Sequence, residues 1–271
     1  MALFCPTNFD KTDLQEKVRA TYEEVAQNPE GDFHFHRGPE YAAQYLGYDY
    51  EELQQIPKEA TDRFAGVGNP IDIGDSNPEY GGIHSGQVVL DHACGAGMDL
   101  LLAARRVGKS GKAIGVDMTP GMCQSARKAA SQAGLSDIVD IREGMYENLP
   151  VEDASIDVVI SNGVINLAPN KINVFEEIYR VLRPGGYLFM ADVVVQRELT
   201  LDARESPVLW AACVGGALVE SELSSLAEET GFKNSSVVKR FNCFFNTTAE
   251  EKVAKDLFVH AVNFAAKKPA N

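Results

Sequence analysis

Two aspartates flank a glycine-rich turn near the middle of the chain. Asp91 stands close to the end of one apolar run, Gly95 and Gly97 follow it, and Asp117 ends the next apolar run. The apolar runs predict buried parallel strands, and the glycines predict a tight turn into a helix over 98–107. Such a strand–helix–strand unit is typical of nucleoside binding. Small residues let a ligand approach the backbone, and Asp117 can accept hydrogen bonds from both ribose hydroxyls.

The charge of Asp91 favours one kind of nucleoside. A carboxylate that faces the glycine turn would repel a pyrophosphate at the helix N-terminus, whereas it would attract a ligand with an ammonium group. Leu100 also stands where the dinucleotide-binding pattern G-x-G-x-x-G requires its third glycine. The sequence therefore predicts a site for S-adenosylmethionine and disfavours a nicotinamide-dependent oxidoreductase.

The elements that position this turn can be followed along the chain. From Val88 onward, apolar strands alternate with amphipathic helices, which predicts an α/β fold with a Rossmann-like doubly wound sheet. Short helical patterns over 1–65 predict an N-terminal helical cap or lid. Residues 66–87 are rich in Gly, Asn, Pro and Asp and predict a linker loop. The cofactor-binding domain would then cover 88–271.

Local signals also set some element boundaries. Short apolar runs predict a third strand over 138–141 and a fourth over 156–160. Pro184-Gly185-Gly186 predicts the end of a helix before a fifth strand over 187–191. The apolar run 209–218 is compatible with a buried helix that contains Cys213.

Composition limits the possible partners. The net charge of -14 argues against nucleic acid, which needs a basic surface. The first residues lack a signal-peptide pattern, and the longest apolar stretch, 208–219, is shorter than the roughly 20 residues of a membrane span. The five cysteines include no C-x-x-C pair, which favours a reducing compartment. We therefore expect a cytoplasmic protein with a small-molecule substrate, no nucleic acid or membrane partner, and an oligomeric state that the sequence leaves open.

Motifs in a fixed order resemble the class I methyltransferases that depend on S-adenosylmethionine. They are Asp91-x-x-x-Gly95-x-Gly97, Val116-Asp117-Met118, Pro150-x-x-Asp153-x-x-x-Asp157 and Leu182-Arg183-Pro184-Gly185-Gly186. Within that class, Gly68-Asn69-Pro70, the run 161–167 and the run 210–218 are similar to the arsenite methyltransferase branch. The resemblance covers roughly residues 65–267 and implies a seven-stranded sheet. The cofactor-binding residues that it implies are Asp91, Ala93, Cys94, Gly95, Gly97, Asp117, Met118, Gly144, Met145, Tyr146 and Asn162.

Some residues depart from the pattern of that branch. The resemblance implies three thiolates for As(III), yet Val67 and Gly163 occupy two of those positions and only Cys213 remains. Either an external thiol completes an arsenic site or the enzyme methylates another acceptor, and we favour the second interpretation. Ala93 replaces the first glycine of the usual turn, and Met145 stands where an acid more often contacts adenine.

Three residues are candidates for the catalytic side of the site. Cys213 is either a substrate-binding thiol or a small core residue. His34 and His36 share one face of an extended segment and are either surface residues, a substrate base or lid contact, or metal ligands. No third metal ligand lies nearby in the sequence, so we predict no metal site.

The predicted reaction is an in-line displacement in which a substrate nucleophile takes the sulfonium methyl group. The favoured acceptor is a small organic molecule or thiol. The alternatives are a metalloid acceptor held by Cys213 with exogenous thiols, and a non-catalytic binding protein with a methyltransferase fold.

Overall fold

The computed structural model describes residues 11–33, 35–206, 209–210, 213–243, 245 and 259–270. One sheet organises this part of the chain, with the strand order β3-β2-β1-β4-β5-β8-β7 and β6 beside β5. The pairs among β1 to β6 are parallel, and β8 runs antiparallel to β5 and β7. This order confirms the doubly wound sheet and its seven-stranded main path. The strands are β1 (Val88–His92), β2 (Lys112–Asp117), β3 (Val139–Glu143), β4 (Ile156–Asn162), β5 (Leu182–Val195), β6 (Leu218–Val219), β7 (Lys233–Phe241) and β8 (Val259–Lys267).

Helices cover both faces of the sheet. Successive residues of one strand point to opposite faces, so Val89 packs in the cluster that contains α6 whereas Leu90 packs with α8 and α10. Pro120 at the first position of α7 and the Asn170 side chain before α8 fix two helix starts. The helices are α1 (Lys11–Gln27), α2 (Gly38–Leu46), α3 (Tyr50–Gln54), α4 (Lys58–Thr61), α5 (Ile73–Ser76), α6 (Met98–Val107), α7 (Pro120–Gln132), α8 (Lys171–Val181), α9 (Leu201–Arg204) and α10 (Glu220–Glu229).

The segment 66–87, predicted as a linker loop, packs into the core of the protein. It contains a 3₁₀ turn at Pro70–Asp72 and the short helix α5, and it buries Ile71, Ile73 and Tyr80 in the core. Apolar side chains spaced among Gly, Asn and Pro gave no periodic signal, which is why the turns were not predicted. The division into cap, linker and cofactor domain remains a prediction.

Two other boundaries also differ from the prediction. β5 begins at Leu182 instead of 187, because a register irregularity lets it pair with β4 on both sides of the Pro184-Gly185-Gly186 turn. The run 209–218 is compatible with a buried helix by sequence, but the structure is not helical from Cys213 to Leu218. Cys213 lies in a turn with a φ of 60°, and a Cβ on Gly216 would lie 2.0 Å from the Asn166 carbonyl oxygen.

Asn263 connects the sheet to the segment 66–87. Its side chain is 1% exposed, donates to the Asn69 carbonyl at 2.8 Å and accepts from the Asn69 amide at 3.1 Å.

The Asn263→Ala substitution leaves both backbone groups of Asn69 buried without these partners. We expect the free energy of unfolding to fall by about 2–4 kcal/mol in chemical denaturation. Asn173→Ala, at an exposed position of α8, is the control and should change it by less than about 0.5 kcal/mol. Equal effects of the two substitutions would contradict this role of Asn263.

Candidate cofactor and acceptor site

A cavity opens at the carboxyl ends of β1, β2 and β4. Open parallel sheets bind ligands at this edge, where the connections that follow two neighbouring strands lead in opposite directions. We call this cavity the cofactor cavity. The segment 63–66 and helix α1 form its other wall. Nine of the predicted cofactor-binding residues line it: Asp91, Ala93, Cys94, Gly95, Gly97, Asp117, Met118, Tyr146 and Asn162.

Asp91 presents an unpaired carboxylate oxygen at this cavity. The residue is 3% exposed, and its Oδ2 atom has no hydrogen-bond partner among the described residues. Burial raises the pKa of Asp91 well above its ordinary value, and the carboxylates of Asp99 and Asp117 raise it further. A buried acceptor without a donor is costly, so the arrangement suits a ligand that brings a cation or a donor. The ammonium group of S-adenosylmethionine meets this requirement.

Asp117 is oriented by the backbone around it. Its Oδ2 atom accepts from the Gly95 amide at 2.9 Å and its Oδ1 atom from the Thr119 amide at 2.8 Å. Burial raises the pKa of Asp117, while these amide hydrogen bonds lower it. Each carboxylate oxygen can accept more than one hydrogen bond, so ribose hydroxyls can still bind. A Cβ built on Gly95 would meet no atom within 4 Å, and the space beside this turn is therefore open to a ligand.

Ala93 has the backbone conformation of a glycine. Its φ is 63°, in the left-handed region that costs an L-residue with a side chain about 1 kcal/mol or more. This conformation explains why the family resemblance implies a glycine at position 93. Ala93 keeps the turn at the cost of some strain.

Asp99 and Tyr48 belong to the site but were not predicted from the sequence. The buried Asp99 carboxylate accepts from the Tyr48 hydroxyl at 2.7 Å and from Asn162 Nδ2 at 2.9 Å. Burial raises the pKa of Asp99 to about 6. In the sequence Asp99 is indistinguishable from an acid that complements a helix N-terminus, and Tyr48 lies far from the glycine turn.

Asn162 connects the cofactor cavity to the N-terminal segments. Its Oδ1 atom accepts from the Val67 amide at 2.8 Å, and its Nδ2 atom also donates to the Gly68 carbonyl at 3.0 Å. Together with the bond to Asp99, these contacts occupy both ends of the amide. Asn162 therefore lies against the cavity, as expected, but its polar atoms hold the segment 67–68 in place.

The adenine side of the site differs in part from the expectation. Met118 and Tyr146 line the cavity, but Gly144 and Met145 are not among its lining residues. The Gly144 amide instead donates to the Asp117 carbonyl at 3.0 Å, because this part of the chain continues the β2–β3 pairing. The Tyr146 hydroxyl is buried without a partner among the described residues, so it can hydrogen-bond a ligand.

His92, the histidine nearest the glycine turn, belongs to the core. Its Nδ1 lies 3.3 Å from Ser161 Oγ and its Nε2 lies 3.2 Å from the Tyr146 carbonyl oxygen. Burial lowers the pKa of His92 to about 4. This ring is therefore neutral at physiological pH.

A second cavity lies next to the first. We call it the cysteine cavity, because Cys213 and Cys243 both line it. Tyr22, Ala65 and Gly66 line both cavities, so the two cavities are adjacent. The remaining lining residues of the cysteine cavity are Phe35, His36, Tyr41 and Val67.

The structure brings two of the predicted catalytic residues, His36 and Cys213, to the same cavity. His36 Nε2 lies 2.6 Å from the Phe245 carbonyl oxygen, and the ring stacks on Tyr41 and Tyr45 at centroid distances of 4.8 and 6.0 Å. A carbonyl only accepts, so Nε2 carries the proton and Nδ1 is the basic nitrogen of the neutral ring. His34 lies outside the described residues.

Cys213 is a neutral thiol in this environment. Burial raises its pKa to about 12, and the nearby Asp192 carboxylate contributes to the rise. Sequence analysis did not predict Cys243, which comes from the end of β7 and is 5% exposed. Nothing in the local sequence of Cys243 distinguishes it from a core residue.

Neither a metal-binding group nor a membrane-spanning helix occurs in the part of the chain that the structure describes. That part contains no group of three or more His, Cys, Asp or Glu side chains placed to hold a metal ion. None of its helices is both long and apolar enough to cross a bilayer.

Comparisons with known proteins agree with this geometry. A model of the methyltransferase domain family matches residues 83–231. Arsenite methyltransferase of Halobacterium salinarum is 40% identical over 188 residues, which are 69% of this chain and 46% of that protein. The human arsenite methyltransferase is 36% identical over 190 residues, which are 67% of this chain and 48% of that protein. The chain thus spans about half the length of these curated relatives.

A solved structure extends the match. An arsenic(III) S-adenosylmethionine methyltransferase from Chlamydomonas reinhardtii superposes with a TM-score of 0.67 at 33% identity, covering 80% of this chain and 71% of that one. The methyltransferase domain model matches more than half of the chain, and the sheet has the strand order given above. Together these findings define a class I methyltransferase fold. The chain belongs to the S-adenosylmethionine-dependent methyltransferase family, and arsenite methyltransferases are among its relatives.

The unpaired oxygen of Asp91 generates a prediction about ligand affinity. In Asp91→Asn, the Kd for S-adenosylhomocysteine should rise roughly 10- to 100-fold, because a hydrogen bond between charged groups is lost. The Kd for methylthioadenosine, which lacks the amino-acid end, should change less than about threefold. Isothermal titration calorimetry measures both. An equal loss for the two ligands would show that Asp91 does not contact the ammonium group.

The raised pKa of Asp99 predicts that affinity depends on pH. Asp99 is protonated below about pH 6 and negatively charged above it. Its charge lies beside the ammonium site, so the affinity for S-adenosylhomocysteine should increase as the pH rises through 6. Between pH 5 and 7 the Kd for S-adenosylhomocysteine should fall about tenfold, while the ligand's amino group stays protonated. Asp99→Asn should flatten this change. A wild-type affinity that is constant over this range would contradict the argument.

Proposed function

We propose that this protein transfers the methyl group of S-adenosylmethionine to a small-molecule acceptor bound in the cysteine cavity. The observation that carries the proposal is the pairing of two adjacent cavities. One presents the unpaired Asp91 carboxylate beside Asp117, and the other is lined by aromatic and thiol side chains. The shared lining residues Tyr22, Ala65 and Gly66 support the proposal, because an acceptor in the second cavity would lie next to a methyl donor in the first.

In this proposal each residue of the cofactor cavity has a separate role. Asp91 holds the ammonium group, Asp117 accepts from the ribose, and Met118 and Tyr146 pack beside the adenine. When bound, the cofactor supplies a methyl group on a positively charged sulfur, which is already a strong electrophile. The protein therefore contributes alignment, proximity and the exclusion of water.

His36 is the proposed base for an acceptor that must lose a proton. The fixed Nε2–H donor to Phe245 leaves Nδ1 as the basic nitrogen, and neutral imidazole accepts protons near pH 7. A phenol, amine or thiol acceptor needs such a base. Stacking on Tyr41 and Tyr45 holds the ring in one orientation.

The N-terminal segment is proposed as the lid over both cavities. Helix α1 contributes Tyr22 to both cavities, and Ala65 and Gly66 of the segment 63–66 also line both. A net charge of -14 supports a small molecule over nucleic acid as the acceptor. The free thiols of the described cysteines suit a reducing compartment, and we propose a cytoplasmic location.

A metalloid acceptor is the second candidate. Relatives named arsenite methyltransferases and the presence of Cys213 in the cysteine cavity favour it. Soft thiophilic centres prefer sulfur ligands, and this cavity offers sulfur beside the cofactor cavity.

The test is methyl transfer from tritium-labelled S-adenosylmethionine into a deproteinated metabolite extract, with and without arsenite and glutathione. We expect label in a small-molecule product, and at least a tenfold lower rate at subsaturating cofactor in Asp91→Asn. Label that appears without arsenite identifies an organic acceptor, whereas label that requires arsenite selects the metalloid. Tight cofactor binding without transfer under either condition would overturn the proposal in favour of a binding protein.

A further inference from the structure

Three described residues line both the cofactor cavity and the cysteine cavity: Tyr22, Ala65 and Gly66. Ala65 and Gly66 have no polar side-chain atom, so the Tyr22 hydroxyl is the one polar side-chain group among these three. The roles proposed for the ammonium, ribose and adenine sites do not use this hydroxyl. A polar group that borders both cavities can contact a methyl donor in one and an acceptor in the other.

Helix α1 is held in place close to Tyr22. The Glu23 carboxylate accepts from the Gly121 amide, at the start of α7, at 3.1 Å. About one turn further along α1, the Ala26 carbonyl accepts from Arg63 Nε at 2.8 Å. Arg63 itself lines the cofactor cavity. These two contacts connect α1 to neighbouring elements, so the backbone at Tyr22 has a defined position beside the cofactor cavity.

Packing also orients the ring of Tyr22. The ring stacks on Phe35 with a centroid distance of 6.2 Å and an interplanar angle of 22°. It packs against one apolar cluster that contains Val18 and against another that contains Met122. A tyrosine side chain has only two flexible torsion angles before its hydroxyl, so little conformational entropy is lost when its ring is fixed. The hydroxyl is therefore carried on a rigid support.

The Tyr22 hydroxyl is a neutral group. Burial raises the pKa of Tyr22 well above its ordinary value, and Cys213, Asp117 and Asp192 raise it further. Asp117 lines the cofactor cavity and Cys213 lines the cysteine cavity, so this hydroxyl is within electrostatic reach of residues in both. A phenol that stays protonated does not act as a base. It acts through its dipole and the lone pairs of its oxygen.

We propose that the Tyr22 hydroxyl is a catalytic group that holds the transferring methyl group in line with the acceptor. This inference rests on the proposed function, because it adds a residue to the same methyl-transfer site. A methyl group on positively charged sulfur has polarised C–H bonds, and the hydroxyl oxygen can accept from them. The acceptor supplies the electron pair of the new bond to carbon, and the pair of the broken carbon–sulfur bond stays on sulfur. Tyr22 gains and loses no proton.

A neutral oxygen suits this position better than a carboxylate. The positive charge on sulfur disappears as the methyl group leaves, so an anion beside it would stabilise the ground state more than the transition state. A hydroxyl dipole directed at the methyl group avoids most of this penalty and still restricts the angle of transfer. Alignment of the reacting atoms is the largest contribution that the protein can make to a reaction with so strong an electrophile.

The experiment compares the Kd values of S-adenosylmethionine and S-adenosylhomocysteine for the full chain by isothermal titration calorimetry. The two ligands differ in the methyl group and in the charge on sulfur. Tyr22→Phe keeps the ring and its stacking on Phe35 but removes the hydroxyl. The Kd for S-adenosylmethionine should rise about fivefold, and that for S-adenosylhomocysteine should change less than about twofold. Tyr179→Phe, at a half-buried tyrosine of α8 outside the described lining of both cavities, is the matched control and should change neither.

Two further measurements separate the hydroxyl from the ring and binding from catalysis. Tyr22→Leu removes the ring as well and should weaken the binding of both ligands. At saturating S-adenosylmethionine, transfer of tritium label into the metabolite extract should be at least about fivefold slower in Tyr22→Phe than in the wild type. A selective loss of affinity without a slower transfer would overturn the catalytic role.

The two ligands also distinguish this inference from the proposed function. Equal changes of the two Kd values in Tyr22→Phe, or no change in either, would show that the hydroxyl does not contact the methyl group. If the loss is selective but the wild type transfers no methyl group to any acceptor, the proposed function fails and the contact of Tyr22 with the methyl group stands. If the wild type methylates an acceptor and Tyr22→Phe keeps both its rate and its two affinities, only this inference fails.

Discussion

Buried negative charge at the carboxyl ends of β1 and β2 constrains the rest of the structure. Asp91, Asp99 and Asp117 lie together in the wall of one cavity, and burial raises the pKa of each. Backbone amides stabilise Asp117, while Tyr48 and Asn162 stabilise Asp99. Asp91 alone keeps an oxygen without a partner among the described residues. Arg63, the one Arg or Lys among the described lining residues, donates instead to the Ala26 carbonyl.

This arrangement links ligand binding to the stability of the fold. A cation bound at Asp91 lowers the repulsion among the three carboxylates, so a ligand that brings one stabilises the native state. The polar groups that stabilise Asp99 also hold the segment 67–68, through Asn162. Asn263 holds the adjacent Asn69 from β8. The segment 67–69, which directly follows the shared lining residues Ala65 and Gly66, is therefore held by side chains of both β4 and β8.

How much of the fold and of the candidate site could be predicted from the sequence depends on how close in sequence the interacting residues are. Asp91, Gly95, Gly97 and Asp117 belong to one strand–helix–strand unit, whose geometry follows from spacing alone. Cys243 reaches its cavity through tertiary packing, which a single sequence does not show. The apolar run 209–218 is compatible with a buried helix by sequence, because periodicity does not report the close approach at Gly216, where the Asn166 carbonyl fills the space of a side chain. Met145 was assigned to adenine by family position alone, and it lies outside the described cavity lining.

The cysteine cavity is lined by residues suited to two kinds of acceptor chemistry. His36 offers a basic nitrogen whose position is fixed by the hydrogen bond of its partner nitrogen, which suits an acceptor that loses a proton. Cys213 is held neutral by burial beside Asp192, so it is poorly suited to attack as a thiolate. A neutral thiol can still exchange for a hydroxyl on a soft centre, since that exchange releases water and needs no separated charge. The same burial that suppresses thiolate chemistry is therefore compatible with binding of a thiophilic molecule at Cys213.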